Sequence, residues 1–237
     1  MQEEKYTQQE LFEFEERNTI KGYPELRWTG KRPYKSTQYY PAQLKEVYGN
    51  PDENGWLNKI FWGDNLQVMS HLLKEYRGKI DLIYIDPPFD SKTDYKKSIE
   101  VKGTTVKNDI GIFEEKQYGD IWTNDEYLQF MYQRLILIKE LLSERGSMFI
   151  HCDWHRNHQL RSICDEIFGP SNIVNEIIWC YTSPGSPNMK QFNRKHDTIF
   201  WYSKSRDWHF YEENIRIPYK DPNQKPRNAF LSSEGDD

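Results

Sequence analysis

The chain has 237 residues and a formal net charge of −5 at pH 7, enough length for one sizeable core or one domain with arms. No run approaches 18 consecutive apolar residues, and the amino terminus, Met-Gln-Glu-Glu-Lys, has neither a signal-peptide pattern nor a basic transit pattern, so a soluble cytoplasmic protein is expected. Cys152, Cys164 and Cys180 are odd in number and lack Cys-x-x-Cys spacing, which disfavours a disulfide scaffold or a zinc ribbon.

Six glutamates against Lys5 alone make residues 1–16 carry the whole charge excess, leaving 31 basic and 31 acidic residues beyond. The body is therefore neutral, and no overall positive field marks a nucleic-acid binder. Residues 1–20 read as a solvated helix or arm. Residues 21–54 are rich in Tyr, Pro, Gly and basic side chains (Arg27, Lys31, Arg32, Lys35) and read as a surface wrap, with phosphate contact the second reading.

Residues 59–62 are expected as a short strand. Asp64 then caps a helix over 66–77 with Val68, Met69, Leu72, Leu73 and Tyr76 on one face and Gly78 beyond its end. Residues 80–85 are Ile-rich and uninterrupted, the pattern of a strand buried on both faces, so a β-α-β unit with a right-handed crossover is predicted. Asp86-Pro87-Pro88-Phe89 cannot continue that strand, because two prolines fix φ and lack N–H donors. At the carboxyl edge of an α/β sheet, where ligands bind, this turn offers a carboxylate, free carbonyls and an aromatic ring. That set suits a flat heterocycle bearing an amino group.

Residues 90–122 lack apolar periodicity and carry scattered lysines, which suggests a lid or binding loop, with disorder as the competitor. Thr123-Asn124-Asp125-Glu126 opens a helix expected over 124–144, stopped by Gly146. A strand over 147–152 and a helix over 159–168, with Leu160, Ile163, Cys164 and Ile167 inward, repeat the unit. His151, Cys152, Asp153, His155 and His158 cluster, but their spacing fits no usual zinc pattern, so no metal is assigned and Asp153 is read as a capping or substrate-lining residue. Two strands, 173–181 and 198–203, flank a basic, turn-rich loop whose Lys190, Arg194 and Lys195 are phosphate-contact candidates; a solvated loop is the equal alternative.

The Asp-Pro-Pro-Phe turn after a hydrophobic strand resembles the catalytic motif of the amino-group DNA methyltransferases, which modify N6 of adenine or N4 of cytosine. Residues 60–66 before it resemble the modification subunits of type III restriction systems. After it, the blocks 123–142, 147–153, 165–179 and 196–204 resemble later blocks of that family in the same order. The resemblance implies an α/β fold of the S-adenosylmethionine-dependent, Rossmann-like kind: a mostly parallel sheet with helices on both faces and an antiparallel hairpin. It implies a catalytic domain over 57–204, preceded by an arm at 1–56 and followed by the start of a target-recognition or linker segment at 205–237.

For the site, the resemblance implies that Asp86, Pro87, Pro88 and Phe89 hold a flipped adenine. It implies that Gly63, Asp64 and Asn65 lie against the adenosine part of S-adenosyl-L-methionine, Asp64 as a plain helix cap being the alternative. Residues 28–32 are similar to the arm before the first strand. Double-stranded DNA is the implied substrate; a restriction subunit and a homodimer are left open as partners, and no membrane is implied. Asp at the motif's first position favours adenine over cytosine. The sequence departs from the family in lacking Gly-x-Gly, against which the cofactor's amino-acid end packs, so an incomplete cofactor half is expected. A non-catalytic nucleic-acid-binding subunit, or an N4-cytosine, RNA or protein methyltransferase, are the alternatives, and an unrelated hydrolase using Asp86 and His151 is a distant third.

Overall fold

The computed structural model describes residues 11–15, 19–88, 99–101, 104–106, 124–182, 190 and 192–216. Its centre is a four-stranded sheet built from β3 (Ile80–Ile85), β6 (Leu142–Cys152), β7 (Ile173–Cys180) and β8 (His196–Ser203), in the order β3-β6-β8-β7. β3 runs parallel to β6, while β6–β8 and β7–β8 are antiparallel pairs. Two short hairpins, β1 (Leu11–Glu13) with β2 (Ser36–Gln38) and β4 (Ile99–Val101) with β5 (Thr104–Val106), lie outside this sheet. The α/β class is as expected, and so is the antiparallel hairpin. The sheet is mixed rather than mostly parallel among the described residues.

Three helices pack on it: α1 (Asn65–Tyr76), α2 (Asn124–Leu141) and α3 (Asn157–Phe168). Strand alternation explains which side they take. Met148, Ile150, Cys152, Phe200 and Tyr202, all at most 2% exposed, join Leu135, Ile138, Leu160, Ile163 and Cys164 in one core, with Ile83 and Ile85 packed against it. Leu73 of α1 packs with Leu137 and Leu141 of α2 in a second cluster that also reaches Ile83. The expected inward face of α3 is the observed one. On the opposite face Leu82 is 61% and Tyr84 55% exposed, and among the described residues no helix covers them. The expectation of helices on both faces thus holds here for one face.

Two expected boundaries are corrected. Residues 59–62 form no strand; Ile60 and Trp62 are almost fully exposed and leave the first expected β-α unit without its opening strand. Nor does Gly146 stop α2. The helix ends at Leu141 because the backbone N–H groups of Gly78 and Lys79, entering β3, donate to the carbonyls of Glu140 and Leu141 at 2.9 and 3.1 Å. Gly146 lies within β6 instead, where a Cβ would come 2.7 Å from the Ile80 carbonyl oxygen.

Residues 11–15, read with the rest of 1–20 as a solvated helix or arm, instead carry strand β1 and a buried Phe14. Trp28 enters the main core and Phe14 the second. Lys31 Nζ donates to both carboxylate oxygens of Glu166 on α3 at 2.8 Å and sits over the Trp28 ring. Gln129 of α2 exchanges two hydrogen bonds with the Arg32 backbone. Lys31 is thereby a structural cation.

Candidate active site

The site is built where β3, β6 and β8 present one edge. The parallel register pairs Ile85 with Ile150, so the next residues, Asp86 and His151, face each other beyond the strand ends. β8 runs the other way and pairs Cys152 with Thr198, which brings Asp197, at its start, to the same edge. Alternation sends Tyr84, Asp86, His151 and Asp197 to the helix-free face while Cys152 and Thr198 are buried opposite.

These four side chains form a connected set. His151 Nε2 lies 3.2 Å from Asp197 Oδ2, and Nδ1 lies 3.1 Å from the Tyr84 hydroxyl and 3.8 Å from Asp86 Oδ1. His151 and Asp197 are about one-fifth exposed, whereas Asp86 is 60% exposed and open to a ligand. Burial first, then the neighbouring Asp86, pushes the Tyr84 hydroxyl pKa up, so it remains a donor. Tyr181 at the end of β7 also bonds Asp197, and burial raises its pKa with that contact. Pro87 and Pro88 are half-buried behind the carboxylate.

An aromatic and cationic stack borders the set. Asp153 accepts from the His155 backbone N–H at 2.9 Å and pairs with its Nδ1 at 2.5 Å, holding that ring under Trp154, centroid to centroid 3.7 Å. The Arg194 guanidinium lies 3.6 Å over the other partner of this stack, the exposed Trp154 ring. Asp153 therefore holds the turn before α3 but does not cap the helix, whose N-cap is Arg156 without a side-chain cap bond. Among the described residues no three His, Cys, Asp or Glu side chains are grouped to hold a metal.

Asp64 and Asn65 begin α1. One Asp64 oxygen accepts from the N–H groups of Leu66 and Gln67, the other from Arg134 Nη2 at 2.9 Å, and Arg134 Nε bonds the Asn65 side chain. Gly63, at φ 153°, makes the turn into this cap. Beside it stand the exposed Ile60 and Trp62.

A sequence profile described as DNA methylase, for N6 and N4 methyltransferases, matches residues 80–236. The chain belongs to this DNA methylase family. Among curated relatives of the methylase, the type III restriction-modification enzyme EcoPI Mod subunit of Escherichia phage P1 is 29% identical over 77% of this chain and 30% of its own length. The StyLTI Mod subunit of Salmonella typhimurium is 30% identical over 71% of the chain and 28% of its own length. The type II methyltransferase M.EcaI of Enterobacter cloacae is 29% identical over 75% and 34%. The chain spans about a third of the length of these relatives.

Of the residues expected to form the methylase's site, Asp86, Pro87 and Pro88 stand at the sheet edge, and Phe89 lies outside the described residues. Lys190 is exposed, Arg194 stacks on Trp154, and the Lys195 carbonyl accepts from the Tyr181 N–H at 3.1 Å. Most of the expected lid, residues 90–122, also lies outside the described residues. Sequence reasoning missed Tyr84 and Asp197 as partners of Asp86, and set His151 beside it only in the distant hydrolase alternative. The signal that exists is Tyr84, two residues before Asp86 and so on its face; the other two depend on strand register. No described helix is long and apolar enough to cross a membrane.

Proposed function

We propose that this chain carries the base-binding, catalytic part of a site-specific DNA methyltransferase that acts on the N6 amine of adenine, as part of a restriction-modification system. The observation that carries the reading is the exposed Asp86 carboxylate, followed by Pro87 and Pro88, at the carboxyl end of β3 in a chain of the DNA methylase family. An amine conjugated to a purine is a poor nucleophile. The Asp86 carboxylate and the Pro87 carbonyl accept its N–H bonds, localise its lone pair and offset the positive charge that grows on nitrogen. Phe89 stacks on the base, which has to leave the duplex to reach the pocket. Lys190, Arg194 and Lys195 line the side from which DNA phosphates approach.

S-adenosyl-L-methionine, when bound, supplies an electrophilic sulfonium methyl. The donor set at residues 60–65 fits its adenosine portion: apolar Ile60 and Trp62 stand free of the core, and Asp64 Oδ2 has lone-pair capacity beyond Arg134 for a ribose hydroxyl. Double-stranded DNA is the substrate polymer, and a restriction subunit and a second copy are the assemblies to look for.

The test is transfer of isotope-labelled methyl to DNA, with the products resolved by nucleoside. Label in N6-methyladenine that drops roughly 100-fold or more in Asp86→Ala supports the reading. Label in N4-methylcytosine moves the substrate to cytosine. DNA binding without transfer makes the chain a binding subunit.

A further inference from the structure

The geometry points to His151 as the positioning residue of Asp86 and as the group to which that carboxylate passes the proton released by the amine. The inference rests on the methyl-transfer reading above. An exocyclic amine that gains a methyl group becomes cationic and returns to neutrality only by losing one N–H proton. That bond breaks with its electron pair left on nitrogen, an O–H bond forms on Asp86, and the carboxylate is then regenerated as that proton moves to His151 Nδ1. The imidazolium, whose side chain is about one-fifth exposed, releases it from Nδ1 to water, so one proton goes from amine to solvent and nothing is oxidised or reduced.

Three features of the site support this route. Asp197 accepts and cannot donate, so at 3.2 Å it fixes the ring proton on Nε2 and leaves the Nδ1 lone pair facing β3. On that side stand Asp86 Oδ1, at 3.8 Å, and the Tyr84 hydroxyl, at 3.1 Å, which turns its proton away from Nδ1 as a rotation of the exposed Asp86 side chain closes the longer separation to a hydrogen bond. Once protonated, the ring lies between two carboxylates, Asp86 and Asp197, each able to accept from one of its N–H groups. The other titratable groups around the ring are Tyr181, which shares Asp197, and Asp153, which is engaged with His155; Lys195 lies in the segment entering β8.

The decisive experiment is an NMR titration of the full chain with ¹⁵N-labelled histidine, following His151 in the parent, Asp86→Asn and Asp197→Asn proteins. The expected result is an Nε2–H tautomer in the parent and a His151 midpoint that falls by about half a pH unit or more in each variant, the modest size reflecting the exposure of Asp86. An Nδ1–H tautomer, or a midpoint unmoved by Asp86→Asn, overturns the proposal. In parallel, methyl transfer by His151→Asn is expected to lose about 10-fold or more in kcat with the acid limb of its pH profile displaced and the KM for DNA unchanged. A pH profile identical to the parent's also overturns it. The two readings fail separately. Coupled midpoints in a chain that transfers no methyl remove the activity and the relay with it; transfer with uncoupled midpoints removes His151 alone.

Discussion

At the scale of single residues, Asp64 shows how one carboxylate serves two structural bonds before any ligand is considered. Replacing it with alanine removes the acceptor for two α1 N–H groups and the ion pair with Arg134, whose side chain is 8% exposed. The expected cost is about 2 kcal/mol, of which about 1 is the cap. Asp64→Asn retains the cap oxygen and is expected to cost about half as much in urea denaturation. Cofactor titrations on Asp64→Ala alone would therefore mix loss of a contact with loss of the helix start, and Asp64→Asn separates them. The cysteines make a second residue-scale prediction. Burial pushes the Cys152 thiol up to about 12 and holds Cys164 well above the usual range, while Cys180 is exposed. A maleimide at pH 7.5 is expected to label Cys180 in the native protein and all three only after unfolding, read by mass spectrometry of digests. The same shifts set a pH dependence. A thiol whose folded pKa is raised adds stability below its unfolded value, about 8.5, and that stability is lost as pH climbs towards 12, so the urea midpoint is expected to fall between pH 8.5 and 10.5 and to fall less in Cys152→Ala.

At the scale of elements, the α2–β6 junction is where chain geometry is tightest. β3 starts by closing off the carboxyl end of α2, and Gly146 lets the Ile80 carbonyl pass within 2.7 Å of where a Cβ would be. The oxygen belongs to the backbone, and the Leu142 methyl 3.0 Å from the same point belongs to a fully buried side chain. Gly146→Ala is therefore expected to cost about 1–3 kcal/mol, seen as a lower urea midpoint at unchanged slope. β6 illustrates how one strand divides labour. Its even-numbered residues 148, 150 and 152 fill the helix-side core, while Phe149 stacks on Trp201 at 5.2 Å on the open face and His151 enters the site.

At the scale of the molecule, the amino-terminal wrap and the sheet form one packed body. Lys31 links residues 26–32 to α3 through Glu166, whose side chain is 4% exposed. Lys31→Met keeps the apolar stem against Trp28 but removes the charge pair, with an expected loss of about 1–3 kcal/mol; a double-mutant cycle with Glu166→Gln measures the coupling. On the other side of the molecule the open sheet face holds a groove of about 720 Å³ lined by Leu82, Phe149, Ile177, Trp201 and Phe210. It lies on the same helix-free face as Asp86, at the end of β3 where Asp81 and Leu82 stand.

The sequence by itself determined the elements whose cause is local: α1, α3, β3, the Asp64 cap, the inward face of α3, and the turn at Asp86-Pro87-Pro88, because caps, 3.6-residue periodicity and proline act over a few residues. It also carried the family, through blocks in order. What only the tertiary structure decided is which side chains meet. Residues 59–62 had strand composition but no neighbouring strand to pair with, and α2 ended early because a distant β3 took its last carbonyls. His151 joined Asp86 and Asp197 through parallel pairing with β3 and antiparallel pairing with β8. Register over 46 and 65 residues of intervening chain leaves no mark on any short stretch of sequence, since it is fixed by the burial of one sheet face against helices.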